Sequence, residues 1–356
     1  MAQLDDLRKK IDDIDNQMIA LLNARMEVVK AVGILKNTQR SVIYRPEREK
    51  DIIDRLEEQS NGLLNRSAIE AIFLEVFAVS RNIELPERVA FLGPEGSFTH
   101  QAAESRFGAM SEYIPIATIE SVFLMVETDR ARFGVVPVEN NQKGVELDTI
   151  HLLGDANLKI VAEVPLPIHY SFASTEDSIA DIKKIYSVQS AFKQCSRFIN
   201  EVFGKDKATL IPVDSTSTAA RFANSEKGAA AICSHIAAKL YNLPILFSNI
   251  EDRDDNYTRY LILSKDFMNQ KGKADKTTIL AKIGDRPGDL ARFLQDFNQK
   301  GINLKKIESI PAKMGKAFKY WFFLEFEGHY NDPPVKEILE HHKDQIKLLG
   351  SYVMLC

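Results

Sequence analysis

Leu4, Leu7, Ile11, Ile14, Met18, Leu21, Val28, Val32 and Leu35 recur at steps of three and four, with Arg25 standing in the one vacant step. This is the apolar stripe of a single long helix, expected from about Gln3 to Lys36. Two shorter helices should follow, from Pro46 to roughly Gln59, where proline suits the first turn, and from roughly Asn65 to Glu84, ending before Pro86. One long helix with two short companions makes a poor globule. A homodimer that interleaves the long helices, or a higher homo-oligomer built on it, is therefore expected to bury the stripe.

Past Pro86 the pattern changes to short β-branched runs, such as ARFGVVPVEN, LKIVAEVPL and AAAICS, alternating with helical stretches such as AFKQCSRFINEVF. This reads as α/β. A polar stretch, SKDFMNQKGKADK, then separates a third unit that begins at about Thr277. Its order is strand (TTILAKI), helix (GDLARFLQDFNQ), two strands (INLKKIESI and KYWFFLEFEG), helix (PVKEILEHH) and strand (IKLLGSY), the βαββαβ order of a ferredoxin-like sandwich. The chain is expected to be multidomain, with an all-α unit at 1–86, an α/β unit at 87–267 and an α+β unit at 275–356.

Composition narrows the function. The chain has 356 residues, 45% hydrophobic and 27% charged, enough for two or three cores. A formal net charge of -4 offers no basic stripe for nucleic acid, and no apolar run is long enough to cross a bilayer. Nucleic-acid and membrane partners are not expected. The first residues, MAQLDDLRKKIDD, lack the pattern of a secretory signal, so the cytoplasm is the expected compartment. Cys195, Cys233 and Cys356 are far apart, and the seven histidines form no HExxH, so neither a disulfide framework nor a metal site is indicated. No cofactor is expected.

Arg25 interrupts an apolar stripe, which a solvated surface cation would not ordinarily do. Lys36 lies eleven residues later, about 20° from the same direction and roughly 16 Å along the helix, so both side chains can close on one small dianion. Arg8, roughly 25 Å from Arg25, reaches the same ligand only from an antiparallel partner helix, which predicts a site shared between subunits. Ser80 sits one turn before Glu84 on the same helix face, where it suits a carboxylate contact.

Taken together, LDDLRKKIDDIDNQMIALLNARMEVVKAVGILK, YRPERE and FLEVFAVSRNIE resemble the all-helical chorismate mutase family. The resemblance implies that Arg25 and the partner subunit's Arg8 bind the two substrate carboxylates, that Arg48 supports the site, and that Glu49 holds the ring hydroxyl. Lys36 and Glu84 would face the ether oxygen, to which Glu84 can donate only when protonated. The rearrangement of chorismate is unimolecular, so a cationic, desolvated pocket that holds the compact conformer suffices.

In the α/β unit, FLGPEGSFTHQAA puts Gly93 and Gly96 in a strand-to-helix turn, and VVPVENNQKG and NYTRYLIL are polar tips on apolar strands, where ligands collect. No GxGxxG occurs, which argues against a nicotinamide-dependent dehydrogenase. With YSVQSAFKQCSRF and DSTSTAA, these segments resemble prephenate dehydratase, whose fold is similar to two-lobed periplasmic binding proteins. The resemblance implies Asn140, Gln194, Ser217, Thr218 and Arg259 as substrate-binding cleft residues for prephenate, and Thr258 in the catalytic position. Thr258 would assist the leaving hydroxide by relaying a proton or polarising it, with His100 and Glu139 as candidate proton sources.

GDRPGDLARFLQDFNQKGINLKKIESIPAK, YWFFLEFEGH and LLGSY resemble the ACT regulatory domain of these enzymes. That implies phenylalanine as effector, bound between subunits by Gly288, Asp289, Leu290 and Ala291 at the first strand-to-helix turn and by Glu308, Ser309, Ile310 and Pro311. The function expected is conversion of chorismate to prephenate and then to phenylpyruvate under phenylalanine feedback. An active mutase whose α/β unit only binds a ligand is the alternative, and a purely non-catalytic sensor would leave Arg25, Lys36 and Glu84 unexplained.

Overall fold

A computed structural model describes residues 2–39, 44–204, 208–265, 268–284, 286–311 and 320–354. Cys356 lies outside the described residues. The chain opens with α1 (Ala2–Gln39), α2 (Pro46–Gln59) and α3 (Arg66–Glu84). Pro46 sits in the first turn of α2, and the Asn65 side chain caps α3 by accepting from the Ala68 N–H. Helix α3 packs against both α1 and α2, and Gly33 of α1 is buried at the crossing. Leu4, Leu7, Ile11, Ile14, Met18 and Leu21 are exposed, so the first half of α1 carries its apolar stripe uncovered within one chain.

Two lobes follow. The first is built from β1 (Arg88–Leu92), α4 (Phe98–Phe107), β2 (Glu112–Ile116), α5 (Ile119–Glu127), β3 (Phe133–Asn140), β4 (Gly144–Val145), α6 (Leu147–Asp155) and β5 (Lys159–Pro167). The second holds β6 (Ser171–Ser174), β7 (Lys184–Ser187), α7 (Gln189–Gln194), α8 (Ser196–Phe203), β8 (Thr209–Pro212), α9 (Thr216–Ser225), β9 (Ala229–Cys233), α10 (His235–Leu240) and β10 (Ile245–Phe247). Strand β11 (Tyr257–Ser264) then returns to the first lobe and inserts between β3 and β5. The two sheets run β2-β1-β3-β11-β5, with β4 on β3, and β10-β6-β9-β7-β8. The chain therefore crosses between lobes twice, after β5 and before β11.

The last unit comprises β12 (Asp275–Ala281), α11 (Asp289–Gln299), β13 (Leu304–Pro311), β14 (Tyr320–Glu327), α12 (Pro333–His341) and β15 (Ile346–Val353). Its strands form an antiparallel sheet in the order β13-β14-β12-β15, the ferredoxin-like topology expected from the element order. Alternation along the strands gives each face its own task. Ile279, Ala281, Leu324 and Phe326 pack under Phe293, Phe297, Val335 and Ile338 of the two helices. The opposite face, with Leu280, Phe323, Leu349 and Tyr352, joins one core with Ile150, Leu153, Leu158 and Ile160 of the first lobe.

The units are less separate than the sequence suggests. Tyr44, between α1 and α2, is 1% exposed and packs on Phe107 and Phe133 in the core of the first lobe, where its hydroxyl accepts from Arg106 Nε at 2.7 Å. Part of the polar stretch read as a separator is also built in. Asn269 is buried, donates to the Val161 carbonyl, and lends its own carbonyl to His329 Nε2 at 3.0 Å. Polar composition marked a linker there because these hydrogen bonds, not apolar burial, hold the segment.

Candidate active sites

Arg25, Lys36, Arg48, Glu49, Ser80 and Glu84 line one cavity of about 530 Å³ between α1, α2 and α3, walled by Val28, Val32 and Phe77. Lys36 Nζ meets Glu84 Oε2 at 2.8 Å, and Arg25 donates to Ser80 Oγ. Burial pushes the Arg25 guanidinium's pKa down, and the neighbouring Arg48 charge pushes it further the same way. Among the described residues no carboxylate lies within ion-pair distance of either guanidinium. Arg25, Lys36, Arg45, Arg48 and Arg81 line the cavity against the two carboxylates Glu49 and Glu84, which leaves it net positive and suited to a small dianion. Arg8 lies away from it on the exposed first turns of α1, paired with Asp5 at 3.6 Å.

Glu49 was expected to hold a substrate hydroxyl. Its carboxylate is already held by Arg81 and, at 3.2 Å, by Arg106. Arg81 was not singled out from the sequence, although it carries the signal that marked Arg25, a cation four residues beyond the buried Phe77 on an apolar helix face. It is buried, paired with Glu87 at 3.0 Å, and covers the rings of Tyr44 and Phe107. Arg81 thus ties the helical cavity to the first lobe.

The second constellation sits where β3 and β11 end. Thr258 pairs with Asn140 in the ladder, and Asn140 Nδ2 donates to Thr258 Oγ1 at 2.9 Å, to Asn256 Oδ1 at 2.8 Å and to the Tyr257 carbonyl at 3.0 Å. Asn256 Nδ2 reaches Gln194 Oε1 at 3.4 Å, and Gln194 Nε2 donates to Gln142 at 3.2 Å. Asn140, Thr258 and Gln194 therefore belong to one hydrogen-bonded string across the two lobes. Gln142, Gln194 and Asn256 also line a cavity of about 180 Å³ with Lys193 and Arg253. The sequence reading missed Asn256 and Tyr260. Period-two alternation places Tyr260 on the Thr258 side of β11, and Asn256 stands just before the strand, bonded to Asn140.

Ser217 and Thr218 occupy the first turn of α9, across the cleft. Ser217 Oγ donates to the Glu95 carbonyl, and Thr218 Oγ1 accepts from Ser215 at 2.9 Å. With Ser234 Oγ donating to the Gly96 carbonyl at 2.6 Å, these contacts hold the 95–97 turn of one lobe to the other. Gly96 sits at φ +78, and a β-carbon there would stand 2.9 Å from Ser217 Oγ, so glycine is required on both counts.

Arg259 departs from its expected place in the cleft. As the residue after Thr258 on a strand, its side chain leaves from the opposite face, where Nε meets Glu139 at 2.8 Å and Nη1 meets Glu163 at 3.0 Å and Glu325 at 2.6 Å. Glu139 is likewise turned from Thr258 and held by Arg259 and Lys306, which removes it as a proton source. His100 Nδ1 accepts the Gly96 N–H at 3.1 Å and its ring stacks on Phe91; burial lowers its pKa, and its place is in the turn's framework.

In the last unit Gly288 precedes α11 at φ +88, and Asp289 Oδ2 accepts from the Arg286 N–H at 3.0 Å while Oδ1 pairs with Arg292. Leu290 and Ala291 are exposed. Glu308, Ser309 and Pro311 stand on β13, which forms one edge of the sheet. Ile310, expected at an effector site, is fully buried against Trp321 and the core shared with the first lobe, because alternation turns it inward. Cys195 and Cys233 are buried free thiols, Cys233 pushed up to about 12 by burial. Among the described residues no helix is long and apolar enough to cross a membrane.

The chain matches the prephenate dehydratase family model over residues 89–267 and the chorismate mutase type II model over residues 7–85. It is 39% identical to the bifunctional chorismate mutase/prephenate dehydratase of Aquifex aeolicus (strain VF5), over 99% of this chain and 98% of that protein. The bifunctional chorismate mutase/prephenate dehydratase of Pseudomonas aeruginosa is 35% identical over 98% of this chain and 97% of its own length. Among solved structures, the prephenate dehydratase of Arthrobacter aurescens in complex with L-Phe is 30% identical, with a TM-score of 0.66 over 75% of this chain and 89% of that one.

Proposed function

The chain belongs to the bifunctional chorismate mutase/prephenate dehydratase family, and from that premise we propose how its residues divide the two reactions. It rearranges chorismate to prephenate and then dehydrates and decarboxylates prephenate to phenylpyruvate. Arg25, assisted by Arg48, takes one chorismate carboxylate, and the partner subunit's Arg8 takes the other. Lys36 and Glu84, 2.8 Å apart, face the ether oxygen on which negative charge grows. Ser80 orients Arg25, and Glu49, held by Arg81 and Arg106, fixes the wall nearest the ring hydroxyl. The excess of cations over carboxylates on one cavity, with Arg25, Arg48 and Lys36 converging on it beside Glu84, carries this assignment.

For the second reaction, Thr258 assists the departing hydroxide. Asn140 Nδ2 donates to the Thr258 oxygen, which leaves the hydroxyl hydrogen free to turn toward a leaving group. Asn140, Gln194, Ser217 and Thr218 frame the substrate, and Lys193 supplies a cation beside Gln194. A threonine hydroxyl is too weak an acid to be the ultimate proton source, so Thr258 polarises or relays.

We further propose that the ferredoxin-like unit is an ACT domain that binds phenylalanine between subunits of a homodimer. Gly288, Asp289, Leu290 and Ala291 would meet Glu308, Ser309 and Pro311 of the partner, with Ile310 bracing β13 from inside. Phenylalanine as effector is supported by the L-Phe complex of the Arthrobacter aurescens relative. The uncovered stripe on α1 supports the dimer, and buried free thiols suit a cytoplasmic setting.

The test is a time course on purified protein with chorismate at neutral pH, quantifying prephenate and phenylpyruvate without acid. The parent gives both in succession. Thr258→Ala accumulates prephenate, whereas Arg25→Ala leaves chorismate untouched yet still consumes added prephenate. Phenylpyruvate at the parent rate from Thr258→Ala would remove that residue from the site.

A further inference from the structure

We propose that Glu325, contributed by the C-terminal sheet, is a positioning residue for the dehydratase step, acting through Arg259 on the strand end that carries Thr258. The proposal rests on the assignment of Thr258 and Asn140 to that step.

Two consecutive rungs close the β3–β11 ladder, Thr258 with Asn140 and Arg259 with Glu139. Alternation puts the first pair on the cleft face and the second on the opposite face. The register then shifts between Arg259 and Tyr260, so that Tyr260 pairs with Pro137 and Val138 is the extra residue of a bulge. On the β3 side the last two rungs are therefore set off from the regular ladder and side chains share in holding them, while on the other side β11 keeps regular register with β5 through Thr258 and Arg259. On the cleft face the tie is Asn140 to Thr258, at 2.9 Å. On the opposite face it is Arg259 Nε to Glu139, at 2.8 Å.

That opposite face meets the C-terminal sheet. Arg259 Nη1 donates to both oxygens of Glu325 on β14, at 2.6 and 2.8 Å, and to Glu163 on β5 at 3.0 Å. Lys276 on β12 bonds Glu163 at 2.5 Å and Glu325 at 3.3 Å, and Lys306 on β13 reaches Glu139. Arg259, Lys276 and Lys306 thus face Glu139, Glu163 and Glu325, three cations against three carboxylates with no net charge. Glu325 is 4% exposed, Lys276 7% and Glu163 8%.

Stability alone does not account for such a cluster, because apolar residues of similar volume commonly serve a buried interface as well or better. Its geometry gives it a second use. The guanidinium is held to the first lobe through Nε and to the C-terminal sheet through Nη1, so any displacement of Glu325 is passed to the Arg259 side chain. A turn of the strand end that follows Arg259 moves Thr258 the opposite way, off its bond to Asn140. The hydroxyl is then misaimed while the substrate's own contacts at Gln194, Ser217 and Thr218 remain, which separates kcat from KM.

The experiment is steady-state kinetics on the full chain, with prephenate and chorismate assayed separately, for Glu325→Gln, Glu325→Asp and the pair Glu325→Gln/Lys276→Met. The paired variant restores charge neutrality without restoring the Arg259 contact. Glu325→Gln is expected to lower the dehydratase kcat about tenfold, with KM for prephenate within about twofold and mutase kcat unchanged. Glu325→Asp should recover part of the loss, and the paired variant none. A paired variant with wild-type kcat, or a Glu325→Gln protein whose defect lies in KM alone, overturns the proposal by assigning the cluster a structural role. Thr258→Ala is run alongside. If it keeps wild-type kcat, the site assignment itself fails; if it is inactive while Glu325→Gln is normal, only the positioning role falls.

Discussion

Gly33 of α1 lies so close to Glu84 of α3 that a β-carbon at position 33 would stand 3.2 Å from Glu84 Cγ and 3.3 Å from its Cα. This contact sets the spacing of Lys36 and Glu84 across the helical cavity. Gly33→Ala should favour α1 itself, since alanine exceeds glycine in a helix interior by about 1 kcal/mol. The methyl group, however, pushes against backbone as well as side chain at the crossing. The expected outcome is a melting temperature within a few degrees of the parent, a mutase kcat reduced about tenfold, and dehydratase activity on added prephenate unchanged. Equal mutase activity would show that the crossing yields without moving Lys36.

Arg8 and Arg25 are on one helix but belong, in the proposed dimer, to the same site only across the subunit boundary. Arg8→Ala and Arg25→Ala should each be inactive as mutases. Mixed under conditions that exchange subunits, they form heterodimers in which one of the two sites receives both substitutions and the other receives neither. Random pairing then restores about a quarter of the wild-type specific activity. A mixture no better than its parts would place Arg8 outside the partner's site.

What was legible in the chain follows from period. A stripe at steps of three and four marks α1 whatever covers it, and a cation inside that stripe identifies Arg25. The same rule extended to α3 would have found Arg81, whose partners Glu49 and Glu87 lie on other segments. The face that Arg259 takes is not legible, because a motif names neighbours without saying which face each one takes; alternation sends it from Thr258 toward Glu325, 66 residues further along the chain. Tyr44 and Asn269 were illegible for a related reason. Each lies in a connecting segment whose composition says turn, and only the tertiary fold supplies the Phe107 and Phe133 rings, or the Val161 and His329 bonds, that bury them.

His100 should make the turn at Gly96 sensitive to acid. Its pKa in the fold is lowered chiefly by burial and also by the Lys239 charge, against the opposing pull of Glu104 and Glu95, whereas in the unfolded chain it titrates near ~6.5. Between those two values the unfolded state binds the extra proton and the fold does not, so stability falls as pH drops through about 6.5 and levels off below the folded value. Protonation also removes the Nδ1 acceptor from the Gly96 N–H, in the turn whose carbonyls bind Ser217 and Ser234 of the other lobe. Glutamine at this position keeps an acceptor and does not titrate. Thermal unfolding followed at pH 7 and at pH 5 should therefore show a smaller acid-induced drop for His100→Gln than for the parent. Identical drops would show that His100 does not carry the acid sensitivity.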